Sequence, residues 1–270
     1  MARELFCFSL LLFSALIPQD ALASLPKAHM PDTQLMRRQI EAQSGRDFED
    51  LLDQWQKSPA TFRVQQFRAL ESLALDHSQL ERTRYIALMG AARVAPETKT
   101  LKKLLEKTKK ESSWLLRSAT LHLMTDRSEI PLFSAEAEAY ALASLKDPAL
   151  LVRSQAVDSI QKLNSPRAAA ALVAAALDPS NYSGGKAIWV PEKAIHALTE
   201  LKATHEIWLL SPLLSHQSDP KLQTQVLGAL ASLHPHEAMG IQKILGPKAT
   251  PSKWAKAWLE LANNKNYSKL

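Results

Sequence analysis

The sequence predicts an all-α protein, a right-handed α-solenoid of about five to six helical hairpins, and three observations carry that reading. Apolar residues recur at the three- and four-residue spacing of a buried helix face along most of the chain. The pattern then returns at equivalent positions that step by 33, 36, 38, 32 and 31 residues, the length of two antiparallel helices with short turns. Seven glycines in 270 residues is well under the ~7% of average usage, which disfavours Rossmann, P-loop and most all-β folds.

Residues 1–23 read as a secretory signal. Arg3 precedes an apolar run over 5–17, Pro18 breaks it, and Ala21-Leu22-Ala23 places small residues before Ser24. The run is short for a span of ~30 Å of hydrocarbon, so cleavage near Ser24 is expected. The single cysteine, Cys7, lies in that leader, leaving a mature chain without thiols. The expected location is periplasmic or secreted. Residues 24–50 then read as a linker and a helix, 51–264 as the repeat region, and 265–270 as a C-terminal tail.

Within the repeat region the best-marked unit is the helix after Asp147-Pro148, which lines Val152, Ala156, Val157, Ile160 and Leu163 along one face. Asp147 is expected to cap it, with Pro148 in the first turn where a missing N–H costs nothing. The same spacing recurs as Arg84, Ala87, Leu88, Ala91 and Val94, and as Arg117 with Thr120, Leu121 and Met124. Further copies are Ala194, Ile195, Leu198 and Leu201, then Val226, Leu227, Leu230 and Leu233, and more faintly Ala257, Trp258 and Leu261. Phe62, Arg63, Phe67, Leu70 and Leu73 suggest one more helix upstream. Partner helices are expected near 101–109, 135–145, 167–177, 205–215 and 237–245. None could bury its apolar side alone.

These residues resemble the HEAT repeat family over roughly 78–262. Leu209 to Pro220 is similar to its proline-containing first helix and Asp-Pro turn, and Asp147-Pro148 through Val152-Arg153 to its second half. Pro191 and Gln223 stand where the family's arginine would be. The resemblance implies one continuous solenoid stabilised by contacts between neighbouring repeats. HEAT-like repeats also build alkylpurine DNA glycosylases, whose basic groove would need cations along successive second helices.

Catalytic patterns fail on residues that their chemistry needs. His205-Glu206 and His236-Glu237 lack the second histidine of a zinc helix. Serine precedes lysine by three at Ser159, Ser183 and Ser218, but the companion elements of penicillin-binding enzymes are missing. No cofactor or metal is expected, and no catalytic residue is assigned. Trp189, Trp208, Trp254 and Trp258 fall at periodic positions and read as wedges between hairpins.

Two features remain as candidate partner-binding elements. Lys99, Lys102, Lys103, Lys107, Lys109 and Lys110 carry most of the mature chain's net positive charge on one helix, whose Leu101, Leu104, Leu105 and Thr108 form the inner stripe. The loop 178–186, with Tyr182 and Lys186, lengthens its repeat to 38 residues and holds two of the glycines. Asn181 and Asn266 each open a glycosylation sequon. The expectation is an exported, non-enzymatic scaffold that binds another protein, one with an acidic surface, on its concave side. Nucleic-acid binding is the disfavoured alternative, and attachment to a membrane surface without spanning it is the third.

Overall fold

A computed structural model describes residues 33–42, 48–216 and 218–265. The leader and most of the C-terminal tail lie outside them. The protein is all-α: α1 (Thr33–Ala42), α2 (Phe48–Gln56), α3 (Ala60–Leu75), α4 (Glu81–Val94), α5 (Thr98–Thr108), α6 (Trp114–Asp126), α7 (Pro131–Ser144) and α8 (Leu150–Leu163) follow one another. After a 3-10 turn at Pro166–Ala168 come α9 (Ala169–Leu177), a second 3-10 turn at Pro179–Asn181, and a two-stranded hairpin, β1 (Tyr182–Ser183) and β2 (Lys186–Ala187). Then follow α10 (Val190–Glu200), a 3-10 helix (Glu206–Ser215), α11 (Pro220–Leu233), α12 (Pro235–Leu245) and α13 (Pro251–Asn264).

Each expected partner helix is present, but 205–215 departs in kind. It forms a ten-residue 3-10 helix with Pro212 inside. Proline lacks the N–H that an α-helical bond would need at that point and clashes with the preceding turn, and the tighter winding accommodates it.

Packing follows chain order. α3 lies on α4, α4 on α6, α6 on α8, α8 on α10 and α10 on α11, while α5, α7, α9 and the 3-10 helix each pack against the helix that follows. Most expected inner positions are buried, among them Ala87, Leu88, Ala91 and Val94 in α4, Thr120, Leu121 and Met124 in α6, and Val152, Ala156, Val157 and Ile160 in α8, while Leu163, Leu201, Leu227 and Leu233 are half-buried. Small residues on these faces let successive helices approach closely. Upstream, Phe67, Leu70 and Leu73 are buried as expected, whereas Phe62 in the first turn of α3 is exposed. Buried side chains form two clusters, one from Met36 to Ala137 and one from Leu121 to Ala262, and Tyr140 and Leu163 pack against both.

The closest approach is at Gly90 in α4. A Cβ there would stand 2.3 Å from a ring carbon of Trp55, so only glycine admits the indole. Trp55 is itself buried and donates its Nε1–H to Gln39 Oε1 of α1 at 3.0 Å. That contact ties α1 and α2 onto the repeat-like helices that follow.

Candidate interaction surface

The loops that precede α4, α6, α8, α10 and α11 lie side by side along one edge, and side chains from successive second helices staple them together. Arg84, only 4% exposed, donates its Nε–H to the Ala74 carbonyl at 3.0 Å and sets Nη2 2.8 Å from Glu111 Oε1 in the next loop. Arg117 makes a bidentate pair with Asp147, Nε to Oδ2 at 2.7 Å and Nη2 to Oδ1 at 2.8 Å, and its Nη1 donates to the Glu111 and Ser112 carbonyls. Arg153, 6% exposed, reaches Asn181 Oδ1 at 2.8 Å and the carbonyls of Asp147, Pro148 and Ser180. Each guanidinium fork thereby bridges its own loop and the next.

The electrostatics follow from this pairing. Burial works to raise the Asp147 carboxyl, but the Arg117 hydrogen bonds and the Ala149 N–H outweigh it and hold the group below the usual carboxylate range. The Asp147 hydrogen bond pushes Arg117 further up, so the guanidinium stays charged. Asp147 does not cap α8 as expected. Its Oδ1 accepts from Ala149 N–H at 2.8 Å, one residue before the helix, because Arg117 claims both carboxylate oxygens and fixes them over the turn.

At the fourth loop the arginine is missing, and Pro191 occupies its place. The β-hairpin takes over. Gly184 and Gly185, at φ of 57° and 76°, turn the chain so that the Ala187 N–H donates to Asp219 Oδ2 at 2.8 Å. Ser218 donates to the Gly185 carbonyl at 2.9 Å, and the Tyr182 ring stacks on His216 with centroids 5.6 Å apart. Asp219 also caps α11 through the Leu222 N–H at 3.0 Å. Its carboxyl is held low in the same way as Asp147, burial opposing and the two backbone N–H groups prevailing. On α11 Gln223 donates to the Leu214 carbonyl at 2.5 Å.

The acceptors of these staples, Glu111, Asp147, Asn181 and Asp219, were not singled out in the sequence for that role. Their steps of 36, 34 and 38 residues follow the repeat, and that periodicity was the available signal.

The predicted site residues separate into two groups. On α5 the inner stripe of Leu101, Leu104, Leu105 and Thr108 is buried. Of its lysines, Lys102 pairs with Glu136 at 2.5 Å, Lys107 with Glu71 at 3.2 Å, and Lys109 with Glu106 at 2.5 Å. Lys99, Lys103 and Lys110 are exposed and make no ion pair among the described residues. Half of the expected basic surface is thus paired, two lysines with neighbouring helices and Lys109 with a glutamate of α5 itself. In the loop, Tyr182 is half-buried and donates its hydroxyl to the Ala176 carbonyl at 2.6 Å; burial, then the Asp219 charge, pushes its pKa up to about 12. Tyr182 holds the hairpin in place, and Lys186 is the member of that pair that faces outward. Asn181 is fully buried, donating to the Ala175 carbonyl and accepting from Arg153, so its sequon offers no side chain to a glycosyltransferase in the folded protein.

In two of the three serine–lysine pairs the lysine is taken by a carboxylate. Ser159 is buried, and Lys162 pairs with Asp126 at 2.6 Å. Ser183 and Lys186 face each other across the hairpin, and Lys221 pairs with Glu192 at 2.7 Å. Trp208 and Trp258 are core wedges with centroids 5.3 Å apart, the His234 ring lies 4.8 Å from Trp208, and Lys265 sits over the same indole. Trp189 breaks that pattern, at 54% exposed. It is the centre of a tight turn with φ 54° and ψ −54°, closed by the Val190 N–H onto the Ile188 carbonyl, which points the side chain outward. On the opposite edge a cleft of about 670 Å³ lies among the ends of α6 and α8 and the start of α7. Its Glu138 accepts from Ser165 and its Asp126 from Lys162.

No known family and no curated protein matches this chain. Among solved structures it is similar to the crystal structure of an engineered protein, at 16% identity over 74% of this chain and 96% of that one, with a TM-score of 0.42. Among the described residues no helix is long and apolar enough to cross a membrane.

Proposed function

We propose that this protein is an exported α-solenoid of HEAT-like hairpins, wound right-handed, that acts as a scaffold binding another protein. One observation carries the reading: second helices pack on one another in chain order, and the loops between them are stapled at a single edge by the same kind of contact repeated down the chain. Such an array gains its stability from neighbouring units and offers a long surface with no central active-site cavity. Six successive helix pairs from α3 to α13 support the expected repeat number. The leader supports export, with the mature chain starting near Ser24.

The nucleic-acid alternative needs cations along the second helices. Arg84, Arg117 and Arg153 are committed to carboxylates and carbonyls inside the molecule, which supports a protein partner instead. The test is co-purification of a tagged mature chain, residues 24–270, from its native envelope or medium, followed by titration of what is recovered. A partner that saturates with one affinity is expected. Repeated recovery of nothing saturable, or recovery of nucleic acid with steep salt dependence, would overturn the reading.

A further inference from the structure

The stapled edge presents a periodic row of exposed apolar side chains. Leu80 at the start of α4 is 78% exposed, Trp114 opens α6, Leu151 lies in the first turn of α8, and Trp189 precedes α10. All four stand in loops or first turns that the staples bring side by side in chain order. Large apolar groups set singly on a surface need no explanation, but a row with one in the loop or first turn of each of four consecutive units does. Trp189 adds a cost of its own, since a bulky residue held at positive φ strains the backbone.

Charge accompanies the row. Lys110, Lys146 and Lys186 are exposed in the same three loops as Trp114, Leu151 and Trp189, and none makes an ion pair among the described residues. Three carboxylates of this edge turn inward, Glu111 toward Arg84, Asp147 toward Arg117, and Asp219 toward the Ala187 N–H, while Asp76 and Glu81 of the first loop stay at the surface. Asp178 is engaged by the Ser180 N–H at 2.8 Å. The outward field of the three central loops is therefore positive, beside apolar anchors. Leu80 extends the row into a loop where Glu81 replaces the lysine.

We propose that this edge docks an extended acidic segment of a partner protein carrying an apolar residue at about every third position. The inference rests on the scaffold reading above. Packed helices stand about 8–10 Å apart, so successive anchors recur at roughly that interval. A polyproline II chain rises about 3.1 Å per residue with three residues per turn, so its side chains on one face repeat at the same interval. An α-helical ligand places its i and i+7 residues on one face about 10.5 Å apart and would leave its acidic groups less regularly over the lysines. The buried apolar anchors set affinity, and the lysines set steering and register.

The test is fluorescence anisotropy with a labelled synthetic peptide of repeating Leu-Glu-Pro, about twelve residues long to cover four anchors. Two controls accompany it: repeating Leu-Lys-Pro, and a peptide of the first composition with its leucines gathered at one end. The chain should bind the acidic periodic peptide at least about tenfold more tightly than either control. The triple variant Lys110→Glu, Lys146→Glu, Lys186→Glu and the single variant Trp189→Gly should each weaken binding by about tenfold or more. Glycine relieves the positive φ, so Trp189→Gly should bind worse while melting no lower than the parent, which separates lost docking from lost folding. The pair Lys99→Glu, Lys103→Glu on α5 should change affinity less than about twofold.

Equal binding of the three peptides, or unchanged binding by the edge variants, overturns the edge assignment and leaves the scaffold reading to its own co-purification test. Loss caused by the α5 variants instead would place the site on that helix. Binding of the edge to phosphatidylserine vesicles in preference to the peptide would replace a protein occupant with a lipid surface.

Discussion

The third and fourth loops of the stapled edge solve one problem with different chemistry. Into the third, Arg117 of α6 crosses from the second loop's helix to Asp147 with two charge-assisted hydrogen bonds. At the fourth, Pro191 removes the arginine, and a nine-residue loop folds into a hairpin whose backbone N–H reaches Asp219. The acceptor is an aspartate followed by proline in both cases. The difference teaches that the edge requires a donor at each step, and that backbone supplies it where the side chain is lost. It also changes what is exposed, because the hairpin that replaces the arginine brings Lys186 to the surface and leads into the turn that turns Trp189 outward.

Breaking the arginine step should have the largest effect. Arg117→Ala leaves Asp147 charged and half-buried without its partner, and a loss of about 3–5 kcal/mol is expected in urea denaturation. Arg117→Lys should recover only part of it, since an ammonium lacks the bidentate fork. A loss under 1 kcal/mol would mean the pair is a surface contact.

Away from the edge, Gly90→Ala drives a methyl group into the Trp55 ring and should cost about 1–3 kcal/mol. This substitution gauges what core packing contributes on the scale of the staples, and it should leave peptide binding at the edge unaltered. The hairpin step should be weaker than the arginine step. Asp219→Ala removes a helix cap and the Ala187 bond, and about 1–2 kcal/mol is expected. A cost equal to that of Arg117→Ala would erase the distinction between charged and backbone donors.

The acid response is the subtlest comparison. Asp147 and Asp219 both have carboxyls held below their ordinary value, so the stability each contributes is complete above about pH 4 and drains away as pH falls through the folded value. Asp76, lowered to about 2 by hydrogen bonds from Ser78 and Gln79, behaves in the same sense at an exposed turn. Melting curves between about pH 5 and pH 2 should show the parent losing stability steadily, with Asp147→Asn less stable at the start and flatter across the range. Parallel curves would show that Asp147 is not the group titrating.

Much of the helical content was legible because buried helix faces leave a local record. Ala156, Val157 and Ile160 are placed by spacing alone, and every one of them is in the core. Lys102 and Lys107 show where local spacing stops. Their outward direction follows from the stripe beneath them, but Glu136 and Glu71 lie 34 and 36 residues away on other helices. Arg84, Arg117 and Arg153 stood out only as a recurring position of the helix frame, for the same reason: their acceptors stand 27, 30 and 28 residues further on. The loop 178–186 read as an insertion; its Gly184-Gly185 pair marked a turn, while its bond to Asp219 required the neighbouring loop. Trp189 read as core by its periodic position, and a single positive-φ residue reversed it. Gly90 gave no local sign, since the Trp55 ring that excludes a side chain comes from 35 residues earlier.

The hairpin replaces the missing arginine as the donor to the next loop. Amide hydrogen exchange at Ala187 and Ala149 reads it, because these two N–H groups donate to Asp219 and Asp147 respectively. Both should exchange slowly in the parent chain, and Asp219→Ala should release Ala187 to the rate of an open loop while Ala149 stays protected. Exchange of Ala187 at an open-loop rate in the parent chain would contradict the claim.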